Sequence, residues 1–209
     1  MTLVVAVDGP AAAGKGTLAR RLAAALGLAH LDTGLLYRAV GRRVLDAGHA
    51  PSDSVAAEAA ACALVPADLL RADLRGPEAD RASSLVAKVP GVRAALLAFQ
   101  RNFASQGAVL DGRDIGTVVV PDAQVKLFVT ATLEMRARRR WLELQGRGVM
   151  TTLDQVETEM RARDAQDAAR QAAPLAAADD AVVLDTTALD ADAAFALALE
   201  IVRRRSGSA

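Results

Sequence analysis

The sequence predicts a three-layer α/β fold in which helices cover both faces of a central, parallel, five-stranded sheet. Short apolar runs alternate with longer helical segments along the chain, a pattern typical of parallel sheets. A polar residue follows each run, and ligands of such sheets collect at the carboxyl ends of the strands. The length of 209 residues suits one domain with a real core. The expected strands are Leu3 to Val7, His30 to Leu31, Val109 to Leu110, Val125 to Val129 and Val182 to Leu184, followed by Asp8, Asp32, Asp111, Thr130 and Asp185.

A glycine-rich loop follows the first expected strand and precedes a helix. The backbone N–H groups of such a loop curl around phosphate oxygens, and the dipole of the next helix favours the same negative charge. Lys15 supplies a cation for the terminal phosphates. Thr17, one place later than in a strict Walker A motif, supplies a hydroxyl for Mg²⁺. The sequence therefore predicts a P-loop NTPase-type fold that binds a nucleoside triphosphate through Gly9, Pro10, Ala11, Ala12, Ala13, Gly14, Lys15, Gly16 and Thr17.

Composition restricts the partners. Lys plus Arg and Asp plus Glu both number 25, so no field attracts a polyanion and nucleic acid is not an expected partner. Cys62 is the single cysteine, which fits a reducing compartment, and we expect it to be a small buried apolar group. His30 and His49 form no metal-ligand spacing with it. Without a charged leader or a run of about 18 apolar residues, a cytoplasmic monomer with no membrane contact is expected.

The middle of the chain departs from the alternating pattern. Between Ala50 and Pro90 it is alanine-rich and punctuated by proline, so we expect an inserted subdomain over about residues 50–90 of a single domain spanning 1–209. Gly146 to Thr151 separates two arginine-bearing helices and is expected to form the tip of a lid over about residues 133–170. Thr152 with Gln155 predicts a capping box. Helices are expected at Lys15 to Leu26, Leu35 to Ala47, Val92 to Ser105, Leu133 to Gln145, Leu153 to Ala168 and Ala191 to Arg205.

The segment from Asp32 to Arg38 is a candidate for holding a second phosphate. If Thr33 lies near a helix start, Tyr37 and Arg38 project from the first turns toward the phosphate loop. Arginine grips phosphate through two parallel hydrogen bonds, and tyrosine packs against a sugar or a base. The alternative is that Thr33 only caps the helix while Tyr37 packs in the core.

A second candidate, Asp111-Gly112-Arg113-Asp114, ends a central strand. Asp111 stands where an acid would orient Mg²⁺ or its water shell. Arg113 could clamp an oxyanion, and Asp114 could accept hydrogen bonds from an amine or a hydroxyl. A self-satisfied Arg–Asp surface turn is the alternative.

Two arginine-bearing helices supply the remaining candidates. Arg163, Asp167 and Arg170 share one helical face, where they could pair with one another or hold the phosphate and ribose of an acceptor. On the preceding helix, Arg138 pairs by spacing with the glutamate four residues before it and Arg139 with the glutamate four residues after it. Arg136 and Arg140 are left on one face, either to neutralise a transferring phosphoryl group or as part of a solvated surface.

Together these motifs resemble the bacterial cytidylate kinases. The phrases DGPAAAGKGT, LDTGLLYR, DGRDIGTVV with PDA following, RDAQDAARQAAPL and VVLDTT occur in that family's order over nearly the whole chain. The resemblance implies in-line transfer of the γ-phosphoryl group of ATP to CMP or dCMP with Mg²⁺, without a covalent enzyme intermediate. Other small-molecule kinases, for AMP, UMP or shikimate, and a non-catalytic ATP-binding protein are the alternatives.

The resemblance also implies roles for individual residues. Ser84, Arg93 and Asp114 would read cytosine; Arg38, Arg113 and Arg170 would hold the acceptor phosphate; and Tyr37, Arg163 and Asp167 would lie near the ribose, with Thr33 in the same site. The expected catalytic residues are Lys15, Arg136, Arg140 and Arg163, and the expected metal residues are Thr17 and Asp111, directly or through water. One stretch departs from the family, because Ala63 to Ala82 is short and lacks an alternating β pattern, which indicates a trimmed hairpin.

Overall fold

The structure, a computed structural model, describes residues 2–169 and 173–207. Its sheet confirms the prediction of five strands in a parallel arrangement. The strands follow the order β2-β3-β1-β4-β5, with β1 parallel to both β3 and β4, and β4 parallel to β5. The strands are β1 (Val4–Asp8), β2 (Ala29–Asp32), β3 (Ala108–Asp111), β4 (Val125–Thr130) and β5 (Val182–Asp185).

The register brings polar strand ends to one edge of the sheet. Val7 of β1 lies opposite Asp111 of β3, and Asp8 lies opposite Phe128 of β4. The carboxylates that end β1 and β3 are therefore one residue apart in register on neighbouring strands. Because all these strands run in the same direction, their carboxyl ends form the edge at which ligands of open α/β sheets bind.

Helices connect and flank the strands. Their bounds agree with the sequence prediction to within a few residues where a helix was expected, and the segment between residues 50 and 90 adds two helices. The helices are α1 (Lys15–Leu26), α2 (Thr33–Asp46), α3 (Ser54–Cys62), α4 (Pro77–Val86), α5 (Pro90–Ala104), α6 (Leu133–Gly146), α7 (Leu153–Ala168) and α8 (Ala191–Ser206), with 3-10 turns at Pro66–Leu70 and Ala72–Leu74 and a π turn at Ile115–Val119.

Helix starts follow the capping chemistry of the sequence, with one difference. The α7 capping box is confirmed, with Thr152 accepting from the Gln155 backbone and Gln155 accepting from the Thr152 backbone. The α2 helix is capped by Asp32, whose carboxylate accepts from the Leu35 N–H, so the alternative in which Thr33 caps is wrong. An ionised carboxylate is the better partner for the positive end of a helix, and Thr33 becomes the first helical residue.

The chain forms two compact units. The core unit comprises Met1–Leu31 and Phe103–Ala209, and the helical unit comprises Asp32–Asn102. In the core unit, β1 and β4 contribute Val5 and Leu127 to an apolar cluster that Leu22 of α1 and Val202 of α8 complete. Each of these side chains is at most 1 % exposed, and burying one contributes about 1.5–3 kcal/mol.

The helical unit is built on a close approach between α2 and α4. A Cβ added at Gly41 would lie 2.8 Å from the Ala82 Cβ, so only glycine fits there. Ion pairs lie beside this contact, with Arg42 binding Asp46 and Glu78 at 2.8 Å each. Cys62 at the end of α3 is exposed, so the expectation of a buried thiol is wrong. The buried side of α3 is taken by its alanines instead.

In the core unit, α6 and α7 form a helical hairpin with its own apolar cluster. Ala137 and Leu144 of α6 pack with Val156 and Met160 of α7, and Trp141 packs against them. The Trp141 indole N–H also donates to the Thr151 carbonyl oxygen at 3.2 Å.

The partner of Arg139 on α6 differs from the expected Glu143. Glu143 binds Arg140 at 2.7 Å and also Arg147, rather than Arg139. Arg139 instead donates to the carbonyl and hydroxyl oxygens of Thr186, after β5, at 2.6 and 3.0 Å. The two acceptors of Thr186 are fixed by the fold, and they hold the guanidinium better than an exposed glutamate four residues away.

No single helix among residues 2–169 and 173–207 is both long and apolar enough to cross a bilayer, although α4 and α5, bent by 98°, would pass together by length and composition.

Candidate functional site

The phosphate loop between β1 and α1 adopts a curled backbone. Three of its residues have positive φ, namely Gly9 at 142°, Ala12 at 57° and Gly14 at 95°. At Gly9 a side chain would overlap the Val129 carbonyl oxygen, which explains the glycine. At Gly14, the residue that caps α1, only the left-handed backbone requires it. Residues of positive φ interspersed with residues of negative φ turn successive backbone N–H groups toward one point, and an anion can bind there.

Lys15 lies inside this loop. It is 6 % exposed, and its ammonium group donates to the Pro10 carbonyl oxygen at 2.7 Å. Burial holds the Lys15 pKa well below its usual range, and the nearby positive charges of Arg113 and Arg163 lower it further. The carboxylates of Asp111 and Asp8 oppose that shift. Arg113 and Arg163 thus act on Lys15 as like charges, and an anion bound beside Lys15 would offset that repulsion.

Asp111 ends β3 beside the start of α1. Its Oδ2 lies 3.7 Å from where a Cβ of Gly16 would be, and its Oδ1 is 2.7 Å from the His30 Nε2. No sequence pattern marks His30 as functional, yet its ring contacts this carboxylate and orients it. The neighbouring Thr17 offers a hydroxyl.

One carboxylate and one hydroxyl suit Mg²⁺, which keeps several waters and takes its other ligands from phosphates. The residues present therefore fit a magnesium ion that arrives with a nucleotide.

Arg113 and Asp167 join two of the clusters that the sequence singled out. The Arg113 Nε donates to the Asp167 Oδ2 at 2.9 Å, and the Asp167 side chain is only 2 % exposed. The alternative of a self-satisfied surface turn at Arg113 and Asp114 is therefore wrong, because Arg113 binds α7 instead. Arg163, one turn before Asp167 on α7, acts on the charge of Lys15 and so lies in the same region.

Asp8 contributes a buried carboxylate next to the phosphate loop. Its two oxygens accept from the backbone N–H groups of Ile115 and Gly116, each at 2.7 Å. Burial raises the Asp8 pKa to about 6, while these two N–H groups and Lys15 oppose the rise. Asp114, 5 % exposed, adds to it through like charge.

Arg136 ties the α6–α7 hairpin to the phosphate loop. It is 6 % exposed and donates to three oxygens: the Ala131 carbonyl at 2.9 Å, the Ala11 carbonyl at 3.4 Å and the Asp164 carboxylate at 2.7 Å. Arg140, on the same helix, is bound to Glu143 and is more exposed. The two arginines that the sequence grouped together therefore have different surroundings.

The helical unit holds the remaining acceptor candidates. The Arg38 Nε and Nη2 both lie 3.1 Å from the Asp80 Oδ1, and the Ser84 hydroxyl donates to the Asp80 carbonyl oxygen at 3.0 Å. The Arg93 guanidinium lies 5.8 Å from the centre of the Tyr37 ring, a cation–π distance. Asp80 was missed in the sequence, although it stands four residues before Ser84 on a helix.

The remaining two predicted acceptor residues are Thr33 and Arg170. Thr33 is 3 % exposed at the start of α2, in the helical unit. Arg170 lies outside the described residues, so its predicted role stays a prediction.

The parallel five-stranded sheet and the phosphate loop after β1 together define a P-loop protein of the kinase type. The family profile for cytidylate kinase matches residues 5–204. The chain is 66 % identical over 206 residues to the cytidylate kinase of Granulibacter bethesdensis, covering 98 % of this chain and 99 % of that one. It is 59 % identical to the cytidylate kinase of Acidiphilium cryptum, with 97 % and 96 % covered. The chain belongs to the cytidylate kinase family.

Solved structures of distant sequence share the fold. An uncharacterized protein from Eubacterium ventriosum superposes with a TM-score of 0.58 at 12 % identity, covering 96 % of this chain and 98 % of that one. A second structure, TT1252 from Thermus thermophilus, gives a TM-score of 0.50 at 20 % identity with 97 % of both chains covered. At these identities the likeness concerns the fold alone.

Proposed function

We propose that this protein transfers the γ-phosphoryl group of ATP to CMP or dCMP, giving the diphosphate. The observation that carries the proposal is the curled phosphate loop with Lys15 buried inside it, together with Arg113 held by Asp167 in the same unit. Buried like charges are unfavourable unless an anion shares them. Membership of the cytidylate kinase family supplies the identity of the acceptor.

The donor side is assigned to the loop from Gly9 to Thr17. Its N–H groups would cradle the phosphates, and Lys15 would leave the Pro10 carbonyl oxygen to bind the terminal phosphates. Asp111 and Thr17 would hold Mg²⁺, which supplies charge neutralisation between the phosphates when bound. His30 keeps the Asp111 carboxylate in one orientation through its 2.7 Å contact.

Acceptor-binding roles are assigned to charged residues within each unit separately. In the core unit, Arg113 would grip the acceptor phosphate while Asp167, bound to it, stays near the ribose. In the helical unit, Arg38 would exchange Asp80 for a phosphate oxygen of the acceptor, the role that the family resemblance implies. Arginine suits this role because its planar fork binds two phosphate oxygens at once. The family resemblance implies cytosine recognition for Ser84, Arg93 and Asp114, and acceptor-binding roles for Tyr37, Thr33 and Arg170.

Catalysis requires only positioning and charge in this proposal. Lys15 and Arg163 would neutralise the charge that spreads over the moving phosphoryl group, and no covalent intermediate forms on the protein. Arg136, held by three oxygens, would fix the phosphate loop and the α6–α7 hairpin relative to each other. Arg140 would need to leave Glu143 to contribute. Closure of the hairpin would exclude water as a competing acceptor.

The experiment follows a labelled γ-phosphoryl group from ATP to CMP. We expect Arg113→Gln to lower kcat/KM for CMP by about a hundredfold, since it removes a charge-assisted contact to the acceptor phosphate. Arg203→Gln, at an exposed position near the end of α8, is the matched control and should leave transfer unchanged. Arg113→Gln also removes the guanidinium that pairs with the buried Asp167 carboxylate. The double variant Arg113→Gln with Asp167→Asn is therefore measured beside it. Unimpaired transfer by both Arg113 variants would contradict the proposal.

A further inference from the structure

The carboxylate of Asp8 accepts two hydrogen bonds from the backbone of one short segment. Asp8 ends β1 and is 5 % exposed. Its Oδ1 accepts from the Ile115 N–H and its Oδ2 from the Gly116 N–H, both at 2.7 Å. These donors are 107 and 108 residues away in sequence. The carboxylate therefore joins the residue before the phosphate loop to the segment that follows β3.

That segment is held at both ends by β1. The Gly112 N–H donates to the Val7 carbonyl oxygen at 3.0 Å, and Asp8 holds Ile115 and Gly116. Between these anchors lie only Arg113 and Asp114. Their side chains extend from a loop whose second anchor to β1 is the Asp8 carboxylate.

The contact leaves no spare room. A Cβ added at Gly116 would lie 3.3 Å from the Asp8 Oδ2 and 3.1 Å from the Lys126 Cδ. Glycine at this position lets the backbone N–H approach the carboxylate closely. A substitution here would push against the contact from its other side.

Two N–H donors require an acceptor at both oxygens. A carboxylate accepts through each oxygen, whereas an amide of the same shape would aim its own N–H₂ at one of the donors. Burying an ionised carboxylate is costly, and the hydrogen bonds offset part of that cost. A merely space-filling residue at this position would not need to be acidic.

We propose that Asp8 is a positioning residue for the acceptor: it fixes Arg113 and Asp114 so that binding of CMP, far more than binding of ATP, depends on it. The inference rests on the proposed roles of Arg113 and Asp114. Asp8 itself touches neither nucleotide in this scheme. It acts through the backbone of Ile115 and Gly116.

The test separates KM for CMP from KM for ATP in three variants. Asp8→Asn keeps the shape and loses one acceptor, so we expect KM for CMP to rise about tenfold, as for a buried donor left unsatisfied, with KM for ATP changed less than about twofold. Gly116→Ala presses on the same contact and should give the same split to a smaller extent. It also serves if Asp8→Asn does not fold, which circular dichroism would reveal.

Asp190→Asn is the matched control. Asp190 also accepts from two backbone N–H groups, those of Asp192 and Ala193, at 3.0 and 2.8 Å, but at the exposed start of α8. Both KM values should stay as in the wild type. If Asp8→Asn instead raises both KM values equally, or changes thermal stability alone as a structural carboxylate would, the inference is overturned.

A pH series adds a readout that a purely structural role would not move. The charged groups facing Asp8 are Asp114 and Lys15, and Lys126 of β4 lies beside Gly116 with its ammonium bound to Asp180. We expect the ratio of the CMP dissociation constants, Asp8→Asn over wild type, to fall toward one as the pH drops below about 6, because protonated wild-type Asp8 loses one acceptor.

Ionisation of the CMP phosphate, which falls near the same pH, cancels in that ratio. A ratio that stays constant from about pH 7.5 to about pH 5 would overturn the inference. Failure of the wild-type protein to phosphorylate CMP at all would instead reject the proposed function. The two failures are therefore distinguishable.

Discussion

Positive charge is concentrated around Lys15 before any ligand is bound. Its ammonium group is buried, its pKa is lowered first by that burial and then by Arg113, and its one contact through Nζ given by the structure is the Pro10 carbonyl oxygen. A site in this state holds unfavourable electrostatic energy that a phosphate would release. Catalytic need and folding stability therefore pull in opposite directions at this residue.

Replacing Lys15 should separate those two effects. We expect Lys15→Met, which keeps most of the buried stem and removes the charge, to lower kcat by at least about a hundredfold. The free energy of unfolding should stay the same or rise, because the cost of burying the ammonium disappears. Urea denaturation and a transfer assay measure the two quantities. Retained turnover, or a large loss of stability, would contradict the assigned role.

Asp8 makes stability depend on pH in an unusual direction. Burial raises its folded pKa to about 6, against 3.8 for the free group, so the folded protein binds more protons than the unfolded chain between these values. Wild type should therefore gain stability relative to Asp8→Asn as the pH falls from about 6 to about 4, by up to about 3 kcal/mol.

The measurement is the difference in unfolding free energy between the two proteins at each end of that pH range. Exposed carboxylates with lowered pKa values, such as Asp46 and Asp185, stabilise the folded protein less as the pH falls. Both proteins carry these carboxylates, so their contributions cancel in the difference. A difference that does not change with pH would show that folding does not raise the Asp8 pKa.

At the level of elements, the close contact of α2 with α4 is the most sensitive packing in the helical unit. A Cβ at Gly41 would lie 2.8 Å from the Ala82 Cβ and 3.1 Å from the Ala82 carbonyl carbon, which is backbone and cannot turn aside. The helices would have to separate. Ser84, on α4, would move with its helix.

Gly41→Ala should therefore destabilise the protein by about 1–3 kcal/mol, as overpacking does, even though alanine favours helix. Gly146→Ala is the control, because a Cβ there meets nothing within 4 Å and φ is ordinary. That change should stabilise the last turn of α6 by up to about 1 kcal/mol. Chemical denaturation measures both. Equal effects of the two substitutions would refute the packing account.

Sequence patterns predicted elements well where local chemistry decides them. The strands, α1, and the Thr152–Gln155 cap follow from apolar runs and capping residues that act over a few positions. Ion pairing on α6 was wrong because the partner of Arg139 is Thr186, far away in sequence. The spacing of charges along one helix does not predict a hydrogen-bond partner that lies on a distant segment.

For the whole molecule, the sequence predicted the parallel sheet and the region between residues 50 and 90 as a departure from it. It did not predict that two 3-10 turns, at Pro66–Leu70 and Ala72–Leu74, occupy part of that region. Arg71 binds Asp46 and Asp73 there, at 2.6 Å each. Prolines and short polar residues leave too little periodicity to distinguish such turns from a loop.

The candidate site was predictable in its motifs and not in its contacts. Lys15 and Arg113 stand out because glycine, charge and strand ends coincide in the sequence. The partners of Asp8 are backbone N–H groups, which every residue except proline carries, so no sequence signal marks them. His30 and Asp80 were missed for a related reason, since each acts through another side chain, namely Asp111 or Arg38.

The central claim is that the protein phosphorylates a cytosine nucleoside monophosphate. The most direct measurement supplies ATP and Mg²⁺ to the purified chain and compares kcat/KM for CMP, dCMP, UMP, AMP and shikimate. The account predicts CMP or dCMP as the preferred acceptor, by at least about tenfold over the others, because polar groups built to read one base reject another. Preference for a different acceptor, or ATP hydrolysis that no acceptor stimulates, would contradict it.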